Sequence, residues 1–202
     1  CPEGVRRCGC LIERKIRTKT GAEPMFGAKG RIGLLVPANN GVLEPELWSR
    51  LPSEVALYAT RLLARGDLTP KAVRSMEQQV DRAVEELVAT IVDLIIYADM
   101  VTTFIMEEGW NEAKIAEISE KAGVPCISAW SSLREALGAL SVRRFALGTP
   151  YPATVHALVP PFFERNRFSL TDHATLDIAA MQDVPRVTPE RLGKLVGELA
   201  FD

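Results

Sequence analysis

The sequence predicts an α/β fold built on parallel strands. The run Leu94 to Thr103 is the clearest signal: aliphatic and β-branched residues follow a helix-like segment and close on Asp99 and a pair of hydroxyls, the pattern of a buried parallel strand ending in polar groups. Apolar runs alternate with helix-patterned segments along the whole chain, which requires crossover connections of one hand. At 202 residues and 22.2 kDa the chain can bury a sizeable core, as one large domain or two small lobes.

Taken in order, residues 1–24 scatter Arg, Lys, Gly and Cys without apolar periodicity and predict a disordered tail, with Met25 a sensible start. Ile32 to Val36 is a buried strand stopped by Pro37 and followed by the turn residues Ala38-Asn39-Asn40-Gly41. Val55 to Thr60 is a second strand, with Arg61 directly after it. Thr69-Pro70 opens one long helix carrying Val73, Met76, Val80, Val84, Leu87 and Val88 on its apolar face. After the Leu94 strand, Asn111 to Lys121 is an amphipathic helix ended by Gly123, and Val124 to Ile127 a short strand. Ser131 to Leu140 reads as a helix, Phe145 to Gly148 as a strand ending at Thr149-Pro150-Tyr151, and Val155 to Arg165 as a helix. Phe168 to Leu170 begins a further strand, and Thr188-Pro189-Glu190 caps a last helix reaching about Leu199.

A formal charge of -2, with both signs spread along the chain, gives no electrostatic footprint for nucleic acid or an anionic membrane. The longest apolar runs are too short and too interrupted to span a bilayer. Cys1, Cys8 and Cys10 crowd the first ten residues without a second ligand pair, so no metal site and no disulfide framework is expected. A cytoplasmic protein is the expectation. There is no Gly-x-Gly-x-x-Gly turn, Walker loop or His-x-x-x-His pair, so nothing marks a nucleotide binder.

In open α/β sheets ligands bind at the carboxyl ends of strands. Asn39 and Asn40 lie at one such end, where their amides either donate to a substrate carboxylate or close an Asx turn. Arg61 lies at another, where it either clamps a carboxylate or makes an exposed ion pair. Asp99 either caps the following turn or acts as an acid or base. Cys126, inside an apolar strand, reads as a core thiol. His156 and His173 read as surface or core histidines, since no spacing links them to a nucleophile.

Three stretches carry a family resemblance: Gly33-Leu-Leu-Val-Pro-Ala-Asn-Asn with Glu44-Pro45-Glu46 behind it, Ile96-Tyr97-Ala98-Asp99, and Leu147-Gly148-Thr149-Pro150-Tyr151. Together they resemble the maleate cis-trans isomerase and arylmalonate decarboxylase branch of the Asp/Glu racemase superfamily. The resemblance implies two pseudo-symmetric Rossmann-like α/β lobes with parallel sheets and an active site between them, here a first lobe over 25–141 and an incomplete second lobe over 142–202. It implies a cofactor-independent isomerase, racemase or decarboxylase that takes a small dicarboxylate or related acid through an enediolate-like intermediate. Asn40 then matches the family's carboxylate-binding amide and Tyr151 its substrate-holding tyrosine, while Thr102 and Thr103 fall in a loop that supplies donors to substrate oxygens.

The family's isomerases and racemases carry cysteine where this chain has Asp99, and its decarboxylases carry glycine. A second cysteine lies on a strand beyond the position of Leu199. The expectation is therefore a chain truncated before that strand, with Asp99 and Tyr151 as catalytic groups and Asn39, Asn40, Thr102, Thr103 and Arg61 as substrate ligands. A non-catalytic small-acid binding module or inactive fragment is the alternative. The expected partner is a small carboxylate, with neither nucleic acid nor membrane involved; uncovered sheet edges would favour a homo-oligomer.

Overall fold

The computed structural model describes residues 25–200. The expected tail and the three N-terminal cysteines lie outside the described residues. Four parallel strands form the larger sheet in the order β2-β1-β3-β4: β1 (Gly30–Pro37), β2 (Val55–Leu62), β3 (Leu94–Tyr97) and β4 (Cys126–Ser128). A second sheet pairs β5 (Arg144–Thr149) with β6 (Ser169–Thr175), also in parallel. This is the mixed α/β, parallel-sheet architecture that alternating strands and helices predict.

Strand alternation divides the core of the larger sheet. Leu35, Ile95 and Tyr97 face α3 (Val80–Ala89) and α5 (Trp110–Ala122), while Leu34, Val36 and Ala98 face α1 (Leu43–Arg50). The chain leaves β1 for β2 on one side and returns across β1 to β3 on the other. The carboxyl ends of β1 and β3 are thus adjacent, with Leu35 opposite Tyr97, at the point where strand order reverses. That reversal opens the crevice in which a ligand can lie.

An aromatic cluster ties the two sheets together. Trp130 of α6 (Ala129–Ala139) and Phe104 of α4 (Val101–Ile105) meet Phe162 and Phe163 of α8 (Val159–Arg165) and Phe168 before β6. The rings pack edge-on, with Trp130 and Phe162 centroids 4.7 Å apart at 74°, the arrangement that aromatic quadrupoles favour.

Several elements differ from their sequence patterns. The helix expected over 70–88 is two, α2 (Pro70–Glu77) and α3, because Gln79 turns toward β2 and its side-chain amide bonds both the N–H and the C=O of Leu63. The helix expected over 155–165 also divides, into α7 (Ala153–His156) and α8, because Pro160 and Pro161 lack the N–H groups that continuation needs. The strand from Leu94 stops at Tyr97, and Thr102 and Thr103 lie in helix α4 rather than in a loop. Arg61 belongs to β2, opposite Val36, instead of following it. A 3-10 turn, Met181–Arg186, was not legible at all; α9 (Pro189–Gly197) follows it. No helix among the described residues is long and apolar enough to cross a membrane.

Candidate active site

A cavity of about 390 Å³ lies at the carboxyl ends of β1 and β3 and is closed on the far side by the loop after β5 and by the 3-10 turn. Its walls are largely apolar, with Leu68, Val73, Met76, Met181, Val184 and Leu192 prominent. Four of the seven residues expected at the site line it: Asn39, Asn40, Asp99 and Tyr151. Among the described residues, none that lines the cavity carries a positive charge or a thiol.

Asp99 is buried and performs two tasks. One carboxylate oxygen accepts the Val101 N–H at 3.0 Å, and the other accepts the Thr102 hydroxyl, so the carboxyl closes the turn into α4 while lining the cavity. Burial, with no cationic partner among the described residues, pushes its pKa up, and the bonds from Thr102 and Val101 offset only part of that rise. A carboxyl in this state can hold a proton at a pH where an exposed aspartate has lost it.

The two asparagines differ in role. The side-chain oxygen of Asn40 accepts the N–H groups of Val42 and Leu43 at 3.1 and 3.0 Å, capping the entry to α1. That fixes the side-chain orientation and leaves its amide NH₂ without a protein partner among the described residues. Asn39 donates instead to the Met181 carbonyl at 3.1 Å, tying the end of β1 to the 3-10 turn. Its side-chain oxygen is buried without a partner, an acceptor that a ligand hydroxyl or protonated carboxyl could satisfy. The Asx turn and the ligand contact, alternatives in the sequence, coexist in this pair.

Tyr151 enters from the loop after β5, its ring edge-on to Phe104 at 6.2 Å. Burial and the nearby Asp99 both push its phenol above the ordinary range, so it stays a neutral donor.

Three expected ligands do not reach the cavity. Thr102 is fully buried behind Asp99, and Thr103 accepts from Asn111 on the side away from the cavity at 3.2 Å. Arg61 spends its guanidinium on the Asn40 carbonyl at 2.8 Å and on Glu44, so it braces the asparagine turn from outside. Cys126 sits partly buried in β4, its thiol pushed up to about 12 by burial, and is inert at neutral pH.

One contact escaped the sequence pattern. His156 Nε2 lies 2.9 Å from His173 Nδ1, and His156 Nδ1 lies 2.8 Å from the Thr149 hydroxyl. The pairing of β5 with β6, which sets Leu147 opposite His173, creates this cluster, and no local spacing announces it. The described residues hold no group of three or more His, Cys, Asp or Glu side chains suited to a metal ion.

The same geometry has relatives. A family model described as arylmalonate decarboxylase matches residues 32–201. Maleate isomerase of Nocardia farcinica is 30% identical over 171 residues, covering 80% of this chain and 68% of that protein. Maleate isomerase of Geobacillus stearothermophilus is 25% identical over 181 residues, covering 84% and 72%. The solved structure of a Nocardia farcinica maleate cis-trans isomerase mutant with a covalently bound succinylcysteine intermediate superposes with a TM-score of 0.78 at 28% identity, covering 85% of this chain and 73% of that one. The chain belongs to the arylmalonate decarboxylase family, and it is an enzyme of the isomerase or decarboxylase type.

Proposed function

We propose that the protein isomerises, racemises or decarboxylates a small dicarboxylate or related carboxylic acid by proton transfer through an enediolate-like intermediate. The observation that carries this reading is a cavity with no cationic side chain among its described lining residues, in which the buried Asp99 carboxyl is joined by the neutral side chains of Asn39, Asn40 and Tyr151 at a strand-order reversal. Neutral donors aimed at fixed positions stabilise charge that develops on a substrate oxygen without holding the ground-state carboxylate too tightly. In this reading the Asn40 amide and the Tyr151 hydroxyl bind substrate oxygens. The unpartnered oxygen of Asn39 accepts from a protonated carboxyl.

Asp99 takes the acid–base role. In its neutral form it donates its proton to the reacting carbon of an enediolate; as carboxylate it removes one. A carboxylate is a weak nucleophile beside a thiolate, and no thiol lines the cavity among the described residues, so the proposed chemistry forms no covalent adduct here. Loss of carbon dioxide from an arylmalonate leaves the enediolate that Asp99 protonates to an arylacetate, whereas maleate reaches fumarate only if a nucleophile first adds to its double bond, so that rotation and then elimination can follow.

The test is turnover of maleate and of phenylmalonate by the 202-residue chain, followed by proton NMR in D₂O. Phenylacetate deuterated at its α carbon is expected from phenylmalonate, with loss of turnover in Asp99→Ala and Asn40→Ala. Full activity in both variants would overturn the assignment.

A further inference from the structure

Behind the cavity lies a charge that the chemistry of Asp99 leaves unused, Glu77 at the end of α2. The side chains of Glu77 and its partner Lys114 are only 10% and 17% exposed, with the ammonium 3.1 Å from one carboxylate oxygen. The Tyr97 hydroxyl donates to the other oxygen at 2.8 Å. Burial, with Asp99 and Glu77 nearby, holds the phenol far above its ordinary range, so it stays a neutral donor. Its ring is fully buried and stands edge-on to Trp110 of α5, with centroids 5.8 Å apart. Three elements therefore meet at one carboxylate, which α2 supplies, while β3 brings the phenol and α5 the ammonium.

Both ends of the Tyr97–Glu77 bond stand one residue from the cavity. Met76 precedes Glu77 and lines it, as does Val73 one turn earlier on the same face of α2. Ala98 and Asp99 follow Tyr97 and line it too. Among the described residues this is the one side-chain hydrogen bond between α2 and β3, and it spans the corner where the apolar wall meets the acid. Apolar side chains of similar volume would serve stability as well as this buried pair or better. What they could not supply is a directional contact of fixed length.

We propose that Glu77 and Tyr97 are positioning residues, whose hydrogen bond sets the distance between the Asp99 carboxyl and the α2 wall against which the substrate lies. The inference rests on the acid–base reading of Asp99. A substituent packed on Val73 and Met76 fixes where the reacting carbon stands, and Asp99 has to meet that carbon. A misplacement of about 1 Å costs on the order of 10²-fold in rate. Burial pushes the pKa of Glu77 up, and the bonds from Tyr97 and Lys114 oppose that rise, so the carboxylate remains the acceptor that the phenol needs. Lys114 also pairs with Glu117 at 2.8 Å, which ties the junction to α5 at a second point.

The experiment compares the steady-state kinetics of wild type, Tyr97→Phe, Glu77→Met and Glu77→Gln on phenylmalonate. Tyr97→Phe removes one oxygen and keeps the ring against Trp110. Glu77→Met and Glu77→Gln remove the same charge at similar volume, but only Gln keeps an acceptor for the phenol. Tyr97→Phe and Glu77→Met should each lower kcat about tenfold or more with KM changed less than about twofold, and Glu77→Gln should recover most of the wild-type kcat. A merely structural bond would lower Tm and leave the kcat of the folded protein unchanged. Unchanged kcat in Tyr97→Phe and Glu77→Met, or a Gln variant as impaired as Met, would overturn the proposal. Should the wild type turn over neither phenylmalonate nor maleate, the functional reading fails, and a carboxyl-carbon NMR titration of Asp99 without substrate decides the positioning. The Asp99 midpoint in Glu77→Met should then lie about half a pH unit or more below that in Glu77→Gln, because a loosened corner relieves its burial. Coincident Asp99 curves in those two variants would overturn the proposal.

Discussion

Replacing Asp99 with Asn should make the protein more stable at neutral and alkaline pH while abolishing its activity. The amide oxygen can keep the Val101 N–H bond, and the amide NH₂ can donate to the Thr102 oxygen. The turn into α4 therefore survives, and only a buried charge is lost. The sign follows from linkage. A carboxyl whose folded pKa is raised binds its proton more tightly in the folded state, so its contribution is fully present below the unfolded pKa and declines as pH rises through the folded one. Each unit of elevation costs about 1.4 kcal/mol once the pH exceeds the folded pKa. For a chain of this size, that single unit corresponds to roughly 3–6 °C in Tm. Thermal unfolding of wild type and Asp99→Asn across pH should show an advantage for the variant that is largest at about pH 8 and vanishes by about pH 4, near the ordinary aspartate pKa. A variant destabilised at alkaline pH, or a difference that does not vary with pH, would refute the picture of a buried carboxyl without a countercharge.

Arg61→Ala should lower stability by about 0.5–1.5 kcal/mol, the worth of its carbonyl bond, with its half-exposed link to Glu44 adding little. It should also raise KM more than it lowers kcat, because the asparagine turn loosens; steady-state kinetics separates the two. The buried His156, whose pKa burial and the neighbouring His173 lower, should cost stability as pH falls below about 6.5, the ordinary histidine value. His156→Gln should flatten that acid limb in urea unfolding. Trp130→Ala should cost about 3–5 kcal/mol by urea titration, since the ring is central to the cluster between the sheets. Gly148→Ala should cost roughly 1–3 kcal/mol, because the new methyl would stand 3.1 Å from atoms of Leu195 and Val196 and press α9 away from β5.

Much of this architecture can be read from the chain. Gly33 to Val36 are buried on both faces, and Leu-Ile-Ile-Tyr is buried on one face and half-buried on the other, so their apolar runs announce strands without help from context. Asp99 and the asparagines are legible for the same reason, as polar residues at the abrupt end of an apolar run. What could not be read depends on contacts between distant segments. Gln79 breaks a helix of good propensity because Leu63 offers it two bonds. Thr102 and Thr103 look like loop residues, yet every residue of α4 is buried and their hydroxyls are satisfied by neighbours. The 3-10 turn has no period at all. It owes its place to the Asn39 side chain, to the bridge between Asp67 and Ala180, and to the bond from Leu68 N–H to the Ala179 carbonyl. Tyr97 was legible as a strand residue, but its link to Glu77 joins β3 to α2 and leaves no trace in local pattern.

The bond from Asn39 to the Met181 carbonyl joins positions 142 residues apart. Loop closure over such a span gains little until both ends already belong to ordered structure. On the ribosome, the first four strands can pair long before Met181 emerges, and Asp99 can settle against Val101 by then. The cavity itself has no far wall until the later segment docks. Ligand binding should accordingly arise as the final event of folding, and a bound acid would slow the loss of that docked segment before it slowed the unfolding of the larger sheet.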